Sequence, residues 1–116
     1  MIFPLEALAP AVQERAQTWT ALAMRPRVLP ILPNYGKPIT GVELESADWL
    51  VEILIWNSGE ADLSTVRLTD DRTVNKHYDM ADRQDLEGLL DELVLLLVHD
   101  QIPPAAFVFH GPGTPS

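Results

Sequence analysis

The sequence predicts an α+β fold with two layers: an N-terminal helix, a three- to four-stranded antiparallel meander and a C-terminal helix. Three observations carry that expectation. The first is an apolar stripe at helical spacing near the start. The second is a run of β-branched and aromatic residues with period-two alternation in the middle. The third is a leucine-rich amphipathic stretch after it. Helices segregated to the two ends of a strand-rich centre pack on one face of the sheet and leave part of the other open.

The first helix is expected over Pro10–Met24. Val12, Ala16, Trp19 and Ala23 make its apolar stripe, Pro10 suits a first helical turn that needs no N–H, and Pro26 stops it. Residues 25–38 are punctuated by Pro26, Pro30, Pro33 and Pro38, so any strand there is short or at an edge. Asn34-Tyr35-Gly36-Lys37 reads as a turn. Val42-Glu43-Leu44-Glu45 alternates apolar and acidic as a half-buried strand does. Trp49–Trp56 is the central strand, rich in β-branched and aromatic side chains. Asn57–Glu60 is a hairpin turn around Gly59. Ala61–Thr69 is the return strand with Leu63, Val66 and Leu68 inward, and the broken alternation at Ser64-Thr65 hints at a bulge. Asp70-Asp71-Arg72 turns the chain again, and Thr73–Tyr78 is a short polar strand near an edge. The second helix runs over Asp82–Val98 with Asp82 or Asp79 as its cap. Leu86, Leu89, Leu90, Leu93 and Leu97 form its apolar stripe. Pro103 and Pro104 force an extended path into Phe107-Val108-Phe109, which either docks back on the core or meets a partner. The whole is a single domain over 1–110 with a flexible tail at 111–116.

Composition narrows the function. The chain has 116 residues, enough for one core, with 17 acidic against 8 basic residues and a formal net charge of −9. Such a chain is repelled by phosphate backbones and anionic lipid, so neither nucleic acid nor a membrane is the expected partner. A basic protein surface is. There is no cysteine, which removes disulfides, thiolate catalysis and thiolate zinc sites. The start Met1-Ile2-Phe3-Pro4-Leu5-Glu6 has no basic or apolar leader, and the longest apolar run, Leu93–Val98, is far short of the roughly 20 residues of a membrane span. The expected location is cytoplasmic.

No catalytic constellation is legible. His77, His99 and His110 have no partner at helical ligand spacing. His77 with Asp79 is the nearest approach to a metal pair, but a surface histidine on an outer strand is the ordinary case. Asp70-Asp71 between two strands forms a turn more often than a site. Ser58-Gly59 lacks the Gly-x-Ser-x-Gly context of a nucleophile, and no glycine-rich phosphate loop precedes a helix. The expectation is a protein without enzymatic activity, cofactor or metal.

Charge placement is what stands out. Between Pro38 and Val66 there is no Lys or Arg, while Glu43, Glu45, Asp48, Glu52, Glu60 and Asp62 all fall there. Alternation puts Glu43, Glu45 and Glu52 on the outer face of their strands. A solvated acidic face that keeps the protein soluble is the bland account, and a docking surface for a basic protein is the sharper one. Trp49 and Trp56, seven apart on one strand, point to opposite faces: one belongs in the core and the other on the open face beside the acids, unless both are buried, one under each layer. An aromatic ringed by carboxylates has the anatomy of an interface anchor. The candidate partner-binding residues are therefore Glu43, Glu45, Glu52, Trp56, Glu60 and Asp62, with Tyr78 as a weaker addition and Tyr35 beside it.

The stretch Ile55-Trp56-Asn57-Ser58-Gly59-Glu60-Ala61-Asp62-Leu63, followed by His77-Tyr78-Asp79 and an acidic-start, leucine-rich helix, resembles immunity proteins of bacterial polymorphic toxin systems, most nearly the TriTu type. The likeness covers Trp49–Val98. The proline-rich segment 25–38 and Phe107-Val108-Phe109 lie outside it. The resemblance implies a cytoplasmic antitoxin, monomer or homodimer, that binds and neutralises a cognate toxin domain and has no catalytic residues of its own. The alternative is an acidic secretion chaperone, a homodimer that wraps an unfolded segment of effector cargo.

Overall fold

The structure is a computed structural model, which describes residues 2–111. A 3₁₀ turn at Leu5–Ala7 leads into α1 (Leu8–Gln13) and α2 (Ala16–Ala21). Then come β1 (Arg25–Val28), a second 3₁₀ turn at Asn34–Gly36, β2 (Ile39–Glu45), β3 (Trp49–Trp56), β4 (Glu60–Arg67), β5 (Arg72–Asp79), α3 (Arg83–His99) and β6 (Phe107–Phe109). The strands form one antiparallel sheet in chain order, β1 to β6.

Period-two alternation decides the layers. Val42 and Leu44, then Val51, Ile53 and Ile55, then Ala61 and Leu63 all point to one face and are buried there. They meet Leu86, Leu89, Leu90 and Leu93 of α3 and Leu8, Ala11, Val12 and Trp19 of the N-terminal helices in one core. Each buried Val, Leu or Ile among them contributes roughly 1.5–3 kcal/mol by leaving water. Asp82 caps α3 through Asp85 N–H at 3.0 Å, and the Asp85 carboxylate reaches back to Ala81 N–H at 2.7 Å, so the first turn is satisfied from both sides. Arg15 ties the N-terminal helices to α3 through Glu87 at 2.9 Å and Asp91 at 2.8 Å.

The sheet has six strands rather than three or four. The two extra ones are the edges. Arg25–Val28 tolerates Pro26 because an edge strand has one side with no ladder to break. Phe107–Phe109 pairs with Thr73, Val74 and Asn75 after a turn in which Ala105 takes φ 64°. The single helix expected over Pro10–Met24 is two, broken at Arg15, whose φ and ψ are −103° and 19°. At the break the Val12 carbonyl accepts from Arg15 N–H in a tight turn and from the buried indole N–H of Trp19 at 2.9 Å. No bulge interrupts β4: its register with β3 runs unbroken through Ser64 and Thr65. Thr65, not Val66, faces inward, fully buried, its hydroxyl donating to the Val74 carbonyl at 3.1 Å. That local bond is how a threonine substitutes for an apolar residue in the alternation. The tail expected at 111–116 lies, beyond Gly111, outside the described residues. Among the described residues no helix is long and apolar enough to cross a membrane.

Candidate partner-binding face

The face of the sheet away from the helices is built by the residues that alternate with the buried set. Strand register lines them into rows. Arg27, Glu43, Glu52, Ser64, Asn75 and Phe107 form one, and Arg25, Glu45, Leu50, Val66, Thr73 and Phe109 the next. Leu54, Asp62 and His77 follow, then Ile39 with Trp56 and Glu60 with Asp79. Glu43, Glu45, Glu52, Trp56, Glu60 and Asp62 therefore share one helix-free surface. Trp49, on the odd side of β3, packs against the core, and Trp56 does not.

Tyr78 is elsewhere. Its register partner Ala61 is buried, so it lies under α3 on the other face. Its hydroxyl donates to Glu92 Oε1 at 2.6 Å, and Lys76 Nζ sits 4.6 Å from its ring centre. Burial, with Glu92 beside it, pushes the phenol far above its ordinary range. One residue of slip along a strand separates the two faces, and His77-Tyr78 straddles that boundary. Tyr35 is fully exposed in the 3₁₀ turn before β2.

The acids are partly matched by the chain's own cations. Arg27 pairs with Glu43, Arg25 with Glu45 at 3.6 Å, and Lys37 with Glu60 at 2.7 Å. Lys37 also lies 5.6 Å from the Trp56 ring centre. His77 bridges two carboxylates, Nδ1 to Asp62 at 2.8 Å and Nε2 to Asp79 at 3.2 Å. Hydrogen bonding to Asp62, then to Asp79, raises the His77 pKa, and the Lys37 ammonium with the Ser58 hydroxyl lowers that of Glu60. Glu52 alone of these acids has no cation within salt-bridge distance among the described residues, although it stands directly across from Glu43, a like-charge pairing that costs stability. The arginine pairs are exposed, at 73–81% for the two arginines, so each is worth at most about 1 kcal/mol and exchanges readily for an incoming cation. A hollow of ≈ 380 Å³ opens over β2–β4, edged by Glu43, Glu45 and Glu52 with Leu50 and Val66 beside them.

Some of the face was not singled out from the sequence. Leu50, Leu54 and Val66 supply its apolar ground, and Asp79 its sixth carboxylate. The signal for them was present in β3, where Leu50, Glu52, Leu54 and Trp56 alternate with the buried set. Glu60, His77 and Asp79 bring one ligand atom each within 4.8 Å of one another, a spacing that would hold a metal ion. Here both imidazole nitrogens lie against carboxylates and Lys37 lies against Glu60. The surface offers exchangeable charge and apolar contact, the two ingredients of recognition. No family model, curated protein or solved structure matches the chain.

Proposed function

We propose that the protein is an antitoxin: an immunity protein that binds a cationic toxin domain through the helix-free face of its sheet and blocks it without chemistry of its own. The observation that carries the reading is the placement of Glu43, Glu45, Glu52, Glu60 and Asp62 on one helix-free surface, with Trp56 beside Glu60 and Asp62 at one end of it. The overall charge of −9 steers a basic partner toward the molecule, and the unmatched Glu52, with Leu50 and Val66 at its side, gives a partner's lysine or arginine a place to dock. The resemblance at Ile55–Leu63 and His77–Asp79 supplies the class of partner. The cytoplasm, where a toxin domain would have to be held inactive, is the proposed location.

The test is protection. Cells expressing the cognate cationic toxin domain should grow when the wild-type chain is co-expressed and fail with the Glu52→Lys/Glu60→Lys double variant, although that variant folds. Equal protection by both would remove the acidic face from the mechanism. The chaperone reading has an observation of its own in the exposed Phe107 and Phe109, a suitable rest for extended cargo. It requires a homodimer that binds an unfolded segment, whereas the antitoxin binds a folded domain. Light scattering of the complex separates the two.

A further inference from the structure

One corner of the open face already holds a cation. Lys37 Nζ lies 2.7 Å from Glu60 Oε2 and 5.6 Å from the centre of the Trp56 ring. An ammonium set between an indole and a carboxylate shows the chemistry this corner accepts. The corner is a hollow of ≈ 190 Å³ walled by Lys37, Trp56, Glu60, Asp62 and His77, with room for one side-chain head group and for nothing folded. Register fixes its acids: Glu60 stands across from Asp79, and Asp62 across from His77, all on the helix-free side.

Lys37 is a loose occupant. Its side chain and that of Glu60 are each about half exposed, and ion pairs in that setting are weak and exchange readily. Its main chain is held apart from the pair: the N–H donates to the Asn34 carbonyl at 3.2 Å, and the carbonyl accepts from the Asn34 side-chain amide at 3.0 Å. The side chain can therefore swing into water while the backbone stays. The corner is also short of positive charge. The carboxylates of Glu60, Asp62 and Asp79 meet only Lys37 and His77 within salt-bridge distance among the described residues. We propose that Lys37 is a stand-in, and that the corner takes an arginine of the cationic partner, its guanidinium stacked on Trp56 and bonded to Glu60 and Asp62 while Lys37 leaves. Arginine suits it better than lysine, because a flat, weakly hydrated fork stacks on an indole and reaches two acceptors, whereas an ammonium is a point charge. This rests on the partner-binding reading above and names the side chain the face selects.

The probe is the blocked tripeptide acetyl-Gly-Arg-Gly-amide, titrated into the full chain and followed by NMR at the Trp56 indole N–H. The expected result is a saturable shift there, with acetyl-Gly-Lys-Gly-amide binding about threefold or more weakly. Lys37→Met vacates the corner and should tighten the arginine peptide about threefold or more. Arg25→Met removes the same charge from the other end of the face, beside Glu45, and should change binding by less than about twofold. Trp56→Leu should erase the preference for arginine. The comparison of Lys37→Met with Arg25→Met leaves the core untouched, so it decides the matter even where Trp56→Leu disturbs the fold. A silent Trp56 indole, whether or not Glu52 shifts, would overturn the arginine site while leaving the acidic face standing, and so would equal tightening by the two methionine variants. Equal binding of acetyl-Gly-Glu-Gly-amide would strike instead at the acidic-face reading.

Discussion

Gly59 sits where a hairpin and the lead-in to α3 touch. Its φ is +93°, a Cβ there would lie 2.0 Å from the Met80 carbonyl oxygen, and its own carbonyl accepts from Met80 N–H at 2.8 Å. Gly59→Ala therefore combines backbone strain with a main-chain clash, and the expected loss is about 2–4 kcal/mol in urea denaturation. His77 gives the pH dependence. Its pKa is raised by Asp62 and Asp79, so the stability it lends is fully present below the unfolded-state pKa and is lost as pH rises through the raised folded value. With the open face, the sign reverses. Deprotonation uncovers Asp62 and Asp79, so a cationic partner binds more tightly as pH rises through the raised His77 value. His77→Gln should flatten that profile in a binding titration. Whether Tyr78 belongs to the face could not be told from the sequence because the two faces differ by one residue and the strand is polar on both sides. Lys76 and Tyr78 look like outward residues until Glu92 of α3 is seen above them.

At the scale of elements, the alternation of β2–β4 made the central strands legible, and the stripe Leu86–Leu97 made α3 legible with its Asp82 cap. What the pattern hid was decided by tertiary contacts. The helix break at Arg15 depends on the Trp19 indole reaching back to Val12, and a stripe of apolar residues carries no sign of that. Trp19→Phe removes the indole donor, leaves the Val12 carbonyl with the Arg15 N–H alone and opens space in the core, so it should cost about 1–3 kcal/mol, read as a lower urea midpoint at unchanged slope. The edge strands were hidden for another reason: three or four residues beside prolines have too little periodicity to declare themselves. The turn between β4 and β5 is locked to the C-cap of α3 by an ionic knot. Buried Arg72 pairs with Asp100, and Arg67 reaches both Asp70 at 2.6 Å and Asp100 at 3.4 Å. Asp100 holds the left-handed cap conformation, φ 54°, which asparagine also tolerates. Asp100→Asn should thus report the charge alone and cost about 1–2 kcal/mol, since Arg72 is buried but Asp100 is half exposed. The Arg67 guanidinium holds the Asp70 carboxyl down at about 2, and Arg72 lowers that of Asp100. Both contributions are full above the usual carboxylate range and fade as pH falls through the lowered values, so acid unfolding should begin earlier in Asp100→Asn.

The whole molecule is a sheet with one side spent on a core and the other left in water. Glu43, Glu45, Glu52, Glu60 and Asp62 belong to the second side because each alternates with a buried residue, which is why the face could be foreseen from the sequence. The matching could not, because all three cations come from the proline-rich segment: Arg25 and Arg27 reach the face only once β1 has paired with β2, and Lys37 reaches Glu60 from the lead-in to β2. Their exposed pairs moderate the negative field without removing it. As proposed, this face attracts a cationic protein domain. The most direct measurement is the association rate with the cationic toxin domain proposed as partner, by stopped flow across ionic strength, for wild type and Glu52→Lys/Glu60→Lys. The wild-type rate should fall steeply as salt is added, and the variant should associate about tenfold more slowly at low salt with a flatter dependence. Equal rates and equal salt slopes in the two proteins would contradict the claim.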